Sequence, residues 1–232
     1  MANILLIRHG QAGFGKLNYD QLSDLGWQQA ELVGKALTAR GFEAGRVFYG
    51  SMRRHQETFL GAKKHWQSFG PVAELSGFNE FDSDEVIACA FPQFKHKAAL
   101  GAWLLTQDNK RKAFQELFSK AVARWTGGEN DSDYQESWSH FQQRVLAALK
   151  QATLEAQGKD IAIFTSGGPI TAIAQHCLGL SNEQAFELNW MMINASLTQC
   201  LYSKNNPEKI GLASFNEQQH LKQARERFIS FR

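Results

Sequence analysis

Three short stretches of this 232-residue chain each gather residues able to hold or attack an anion. Arg8-His9-Gly10 closes an apolar run, GSMRRHQET (50–58) carries Arg53 and Arg54, and Thr165-Ser166-Gly167-Gly168-Pro169 follows a second apolar run. Together they offer guanidinium forks, an imidazole, hydroxyls and, at an expected helix start, unpaired backbone N–H groups. Those are the parts of a phosphate site. Each stretch also has a plainer reading: a solvated turn, an exposed helix face, an ordinary strand-to-helix turn. The convergence of all three favours chemistry. His55, His65, His96, His140 and His176 are scattered without metal-ligand spacing and read as structural or surface histidines, so no metal site is expected.

Two other chemistries fail on particular residues. Gly10 to Lys16 (GQAGFGK) fits G-x-x-x-x-G-K after a strand, but Leu17 stands where a phosphate-binding P-loop needs a magnesium-binding Ser or Thr. Asn18, Tyr19 and Asp20 do not continue as a helix. A serine hydrolase built on Ser166 lacks the glycine two residues before the serine.

The elements that must position these stretches are readable from periodicity. ANILLI (2–7) and DIAIFT (160–165) are unalternating apolar runs, the mark of strands buried on both faces. RVFYG (46–50) and PVAEL (71–75) read as two further strands. Between them, Trp27, Ala30, Val33 and Leu37 recur at helical spacing up to a C-terminal Gly41, and a second helix is expected over 52–66. Strands alternating with helices imply βαβ units and a mostly parallel sheet. In such a sheet, ligands bind at the carboxyl ends of the strands, where all three stretches fall. A helix is expected over 137–158, and another after Thr165 with Pro169 at its first position and Gly179 at its end. Ser181 and Gln184 form a capping box. ASLTQCLYS (195–203) and KIGLASF (209–215) read as closing strands joined by a turn at NNPE (205–208). Residues 82–135 break the rhythm with two helical patterns, near 95–106 and 110–126, and a polar loop at 127–133. This block reads as an insertion over the sheet and the pocket, too small for a core of its own.

Composition sets the wider bounds. Hydrophobic residues make up 43% and charged residues 21%, which is ordinary for a globular chain and excludes disorder. Lys plus Arg is 25 and Asp plus Glu is 23, so no global charge draws the chain to nucleic acid or an anionic membrane, and any anion site is local. Cys89, Cys177 and Cys200 are too few and too far apart in sequence for a disulfide scaffold. No window has the roughly 20 apolar residues of a membrane span, and NILLI is too short for a signal peptide. A cytoplasmic protein, monomer or homodimer, is expected.

With its motifs taken in order, the chain resembles the histidine phosphatase superfamily, also called phosphoglycerate mutase-like. ILLIRHG resembles the family's N-terminal signature, LSDLGWQQAELVGKAL its L-S-x-x-G-x-x-Q-A helix, and RRHQET its R-A-x-x-T segment. FNEF (78–81) resembles the segment carrying an acidic residue, IAIFTSGGPI the strand, turn and helix carrying a second histidine, and NASLT and SFNEQQHL the closing strands. The resemblance implies a three-layer α/β/α sandwich with a mostly parallel central sheet, in a single domain. It implies that His9 is the nucleophile and forms a phosphohistidine, that Arg8 and Arg54 hold the phosphoryl oxygens, and that Glu80 protonates the leaving alcohol and then helps activate water. Gln11, Ser166, Gly167 and Gly168 would line the substrate, a small phosphorylated compound. No metal or organic cofactor is implied.

The sequence departs from the family pattern in two places. Ala12 stands where many members have Thr, and Ser166 stands where the family keeps its second histidine. A serine can donate a hydrogen bond but carries no charge, and losing one preorganised donor costs roughly 10²–10³-fold in rate. A slow enzyme is therefore expected, or one with a neighbouring residue in compensation. GFGKLNYDQ lacks the Trp- and Asn-rich motif of the glycolytic mutases, which favours a phosphatase. A mutase-type phosphoryl transferase and a non-catalytic phosphate-binding protein on the same fold are the alternatives.

Overall fold

A computed structural model of the chain describes residues 1–13, 20–224 and 226–231. By contact the chain clusters into two compact units, one made of residues 1–80 and 144–232, the other of residues 81–143.

The larger unit holds a six-stranded sheet in the order β3-β2-β4-β1-β5-β6. Strands β1 (Ala2–Arg8), β2 (Arg46–Tyr49), β3 (Val72–Glu74) and β4 (Ile161–Thr165) run parallel, and β5 (Leu197–Ser203) and β6 (Asn206–Glu217) close the sheet antiparallel. β1 and β4 are central and buried on both faces, which is why their sequences run apolar without alternation. Leu5, Ile7, Val47, Ala162 and Phe164 form one core. Against it lie Val33 and Leu37 of α1 (Asp24–Ala39), Phe59 and Ala62 of α2 (Arg53–Lys63), and Trp66. Ile4, Leu6, Phe48 and Ile163 alternate with that set and are equally buried, so they line the opposite face. The chain moves away from β1 through α1 and α2, then returns to β4 through α6 (Trp138–Ala156). Right-handed crossovers in opposite directions put α6 on the face opposite α1 and α2. The histidine phosphatase-like sandwich expected from sequence is the fold observed.

Register places the chemistry. Arg8 pairs with Thr165 across β1 and β4, and Tyr49 pairs with Phe164 across β2 and β4. His9, Gly50 and Ser166 therefore follow the carboxyl ends of three adjacent strands. β5 and β6 are joined by two residues, Lys204 and Asn205, not by the expected NNPE turn. Pro207 is tolerated inside β6 because β6 is an edge strand with no further neighbour to bond. α7 spans Gly167–Leu178, so Pro169 is its third residue and not its first, and Gly179 caps it at φ 65°. Ser181 and Gln184 form the capping box of α8 (Asn182–Met191). The Cys177 and Cys200 thiols are hydrogen-bonded to each other, which with burial raises Cys200. All three cysteines are free.

The smaller unit contains three helices where the sequence suggests two: α3 (Ser83–Ala90), α4 (Lys97–Leu105) and α5 (Lys110–Thr126). α3 has only eight residues, barely two turns of periodicity, and its clearest sequence signal is Asp82, whose carboxylate accepts from Asp84 and Glu85 N–H. The unit also has its own aromatic cluster. Phe81 lies 4.7 Å from Trp125 and 5.7 Å from Phe141, and Trp138 lies 5.2 Å from Trp125. Large rings let a short segment bury enough area for a core.

Candidate active site

His9 follows β1 directly and is fixed through its backbone. Its N–H donates to Thr165 O at 2.8 Å, and its carbonyl accepts from Ala195 N–H at 3.1 Å. The imidazole Nδ1 lies 2.7 Å from its neighbour's carbonyl, Gly10 O. A carbonyl can only accept, so Nδ1 carries the hydrogen and Nε2 presents its lone pair. Nε2 makes no hydrogen bond among the described residues. Burial, then the positive charges of Arg54 and Arg8, hold the His9 pKa well below the ordinary histidine value, so the ring is neutral at pH 7.

Both arginines are buried. Arg8 donates through Nη1 to Met192 O in the loop before β5. Arg54, in the first turn of α2, donates through Nη1 to Asp20 Oδ1 at 2.7 Å, and its Nη2 lies 3.5 Å from Ser166 Oγ. Thr58, one turn further along α2, donates to Arg54 O at 2.6 Å and accepts from Gly10 N–H at 3.1 Å. The Thr of the R-x-x-x-T segment thus ties the arginine's helix to the turn carrying the nucleophile.

That turn is also clamped from α1. Gln11 N–H donates to Gln29 Oε1 at 2.7 Å, and the Gln29 amide nitrogen donates to Phe228 O at 2.8 Å. Ser23 caps α1 and donates to Gln11 Oε1 at 2.9 Å. The Gln11 side chain is therefore bound within the fold, where the resemblance implies contact with substrate.

Glu80 follows a short 3₁₀ turn, Ser76–Phe78, and its two carboxylate oxygens lie 3.0 and 3.2 Å from Gly168 N–H. In this structure the Gly168 N–H serves Glu80, not a free anion site. Arg144 of α6 donates to Ser76, Gly77 and Asn79 carbonyls and so holds the turn that presents Glu80. Thr165 Oγ1 adds a bond to Phe78 O at 2.6 Å.

One histidine expected to be structural sits in this constellation. His55 is fully buried, its Nε2 lies 2.6 Å from Ser166 Oγ, and its ring centroid is 5.8 Å from that of His9. The available signal was that His55 occupies the alanine position of the R-A-x-x-T segment, where a small apolar residue belongs. Gly15 and Lys16 of the P-loop-like stretch lie outside the described residues. The described part, Gly10 to Gly13, opens no helix. Among the described residues, no cluster of three or more His, Cys, Asp or Glu could hold a metal ion, and no helix is long and apolar enough to cross a membrane.

The family model of the histidine phosphatase superfamily (branch 1) matches residues 4–214. The chain belongs to this superfamily. Among solved structures it is similar to phosphoserine phosphatase from Entamoeba histolytica in complex with 3-phosphoglyceric acid. That match has 17% identity and a TM-score of 0.65, over 95% of this chain and 100% of that one. It is likewise similar to a mycobacterial glucosyl-3-phosphoglycerate phosphatase, at 20% identity and TM-score 0.60 over 94% and 99%. At these identities the likeness concerns the fold. A curated relative is the mitochondrial serine/threonine-protein phosphatase PGAM5 of Xenopus tropicalis, 43% identical over 58 residues, which is 24% of this chain. The match spans 21% of that relative's length.

Proposed function

We propose that the chain hydrolyses a small phosphorylated metabolite through a phosphohistidine on His9. The observation that carries this reading is the Nδ1 bond of His9 to Gly10 O, which leaves Nε2 as a neutral nucleophile beside two buried guanidinium groups. Nε2 attacks phosphorus, the bond from phosphorus to the ester oxygen breaks, and the departing oxygen takes a proton from Glu80. Water then attacks the phosphohistidine and gives a proton to Glu80, releasing inorganic phosphate and restoring His9. Arg8 and Arg54 offset the charge that builds on the phosphoryl oxygens. General acid/base assistance of the Glu80 kind is worth about 10²–10⁴-fold.

Ser166 takes the second histidine's place in this reading. Acting alone it would leave the enzyme slow, because a lone hydroxyl is a weaker donor to a phosphoryl group than an imidazole. Two of the similar structures are phosphatases named for phosphoserine and glucosyl-3-phosphoglycerate, which supports a small monoester as substrate, while another is named a protein histidine phosphatase.

The test is a panel of phosphate monoesters with purified protein, followed by trapping of labelled enzyme. Label should be acid-labile and base-stable on the wild type and absent from His9→Ala. A His9→Ala protein that retains full turnover would overturn the reading. Transfer of the label to a second alcohol in place of water would make the chain a mutase.

A further inference from the structure

Ser166 stands at the N-cap of α7 but does not cap it. A cap serine ordinarily accepts from one of the first N–H groups of its helix, and the Ser166 hydroxyl makes no such bond. Glu80 takes the Gly168 N–H instead. The Ser166 oxygen faces two other groups, His55 Nε2 at 2.6 Å and Arg54 Nη2 at 3.5 Å.

The far side of the His55 ring decides where the hydroxyl hydrogen goes. Nδ1 lies against the backbone of Gly50, at the end of β2, and is hydrogen-bonded there. The Gly50 N–H is already given to Phe164 O at 3.1 Å, so the partner of the ring is the Gly50 carbonyl. A carbonyl can only accept, so Nδ1 carries the ring hydrogen and Nε2 presents a lone pair. Burial and the adjacent Arg54 disfavour a second proton on the ring. Nε2 therefore accepts the Ser166 hydrogen. Arg54 can only donate, so its Nη2 is met by a lone pair of the same oxygen. The bonds run in one direction, from Arg54 to Ser166, from Ser166 to His55 and from His55 to Gly50 O. Bonds aligned head to tail polarise one another, which holds the negative end of the hydroxyl towards the guanidinium. A Cβ at Gly50 would lie 2.4 Å from His55 Nδ1, so a glycine is needed there for the ring to approach.

Arg54 is thus held from two sides. Its Nη1 donates to Asp20 Oδ1 at 2.7 Å, and that carboxylate is 39% exposed, so this bond draws the fork towards solvent. Ser166 is fully buried and follows β4, the strand that pairs with β1 and so lies beside His9. Its bond draws Nη2 inwards. A carboxylate can occupy both arms of a guanidinium, so Asp20 unopposed would take Arg54 away from an incoming anion.

We propose that Ser166 and His55 are positioning residues for Arg54: locked by His55, the serine oxygen holds one arm of the guanidinium at the phosphoryl site against the pull of Asp20. In the place assigned to the second histidine the chain carries an arginine anchor, not a donor to phosphate. This rests on the phosphatase reading and deepens it. The serine hydrogen is used within the chain of bonds, so slow turnover remains the expectation.

The test is vanadate binding by calorimetry, at matched thermal midpoints. Ser166→Ala and His55→Leu should each weaken binding by roughly tenfold, the size of one hydrogen bond to a charged group. The double variant should fall no further than about threefold below either single, since coupled groups are not additive. His55→Gln keeps an amide oxygen to accept from Ser166 and should recover about threefold over His55→Leu. In an Asp20→Asn background the Ser166→Ala change should cost less than about threefold, because the opposing pull is gone. Losses that multiply in the double variant, or a Ser166→Ala loss of equal size with and without Asp20, would overturn the proposal. So would a His55→Leu protein that binds as tightly as the wild type or more tightly, since a freed serine hydrogen would then be serving the ligand. If His55→Leu does not fold, the Ser166→Ala and Asp20→Asn cycle decides alone. Nitrogen NMR should show His55 neutral and protonated at Nδ1, and an Nε2–H ring would refute the mechanism. Failure of the phosphatase reading shows separately, as activity retained in His9→Ala, while vanadate affinity still reports on Arg54.

Discussion

An imidazole can reach one pocket from more than one backbone position, and here His55 fills space that a histidine at 166 would need. Both residues are fully buried, with 2.6 Å between Nε2 and Oγ, so a ring grafted at 166 would collide with His55. Ser166→His is expected to lower kcat steeply, by about 10²-fold, and Ser166→His with His55→Ala to recover most of it. Steady-state kinetics on one ester checks both proteins. Asp20 gives a second test of the pocket's charge. Its carboxylate occupies Arg54 Nη1 at 2.7 Å and is itself 39% exposed, so it competes with an incoming phosphoryl group for the same guanidinium. Asp20→Asn should tighten vanadate binding several-fold by calorimetry, and weaker binding would mean that Asp20 orients Arg54 instead. At this scale the sequence is legible where chemistry follows a strand: Arg8, His9, Arg54 and Glu80 lie in motifs with fixed offsets. His55 is not legible, because its partner is 111 residues away and only register across β2 and β4 brings the two together. Gln11 and Gly168 show the converse, since residue type cannot reveal that Ser23 and Glu80 already occupy them.

Between residue and fold stand close backbone approaches that side-chain patterns do not display. A Cβ on Gly26 would lie 2.2 Å from Gln11 O, and one on Gly10 would lie 2.4 Å from Gly26 O. α1 therefore presses its first turn directly against the turn that follows His9. Gly26→Ala is expected to cost about 1–3 kcal/mol in unfolding free energy, as overpacking does, and to reduce kcat by moving Gln11 and its neighbour. Urea melts and kinetics on one preparation would show the two losses together. Arg144 acts on the other flank, through three carbonyls of the turn before Glu80. Arg144→Met should lower kcat while leaving vanadate affinity within about twofold, because the phosphoryl site is built by other elements. Equal losses in both would assign Arg144 to the phosphoryl site itself. The helices and strands of the larger unit follow from their periodicity, since long buried elements repeat enough to be read. α3 and the two-residue β5–β6 turn do not. An eight-residue helix offers little repetition, and Pro207 marks a turn in sequence although an edge strand accepts it.

Three histidines, His9, His55 and His220, are held neutral by burial, and that ties the stability of the whole molecule to pH. His220 donates through Nε2 to Ala195 O at 3.0 Å, and Ala195 N–H in turn donates to His9 O. Burial is the main reason its pKa falls to about 4, with Arg40 lowering it and Glu217 opposing. In the unfolded chain the same ring titrates near 6.5, so between pH 6.5 and about 4 the unfolded state binds the extra proton. Stability is then fully present above pH 6.5 and is lost as pH falls towards 4. The shift sets an upper limit of about 3 kcal/mol for His220, and solvent screening of a partly exposed ring brings the expected loss nearer 2 kcal/mol. His9 and His55 act in the same direction, as their pKa values are also lowered by burial. Carboxylates such as Glu217, which the Ser214 and Arg40 hydrogen bonds lower in spite of burial, act in that direction too, but at lower pH. A variant isolates the histidine: His220→Gln keeps a donor for Ala195 O and cannot titrate. Both proteins should melt within a few degrees of each other at pH 8. At pH 4.5 the wild type should lose about 4–8 °C more than the variant, since 1 kcal/mol is worth about 2–4 °C in a chain of this size. Equal acid losses in the two proteins would show that His220 is protonated without cost in the fold, and the Ala195 bond would then be no part of what holds His9 in place.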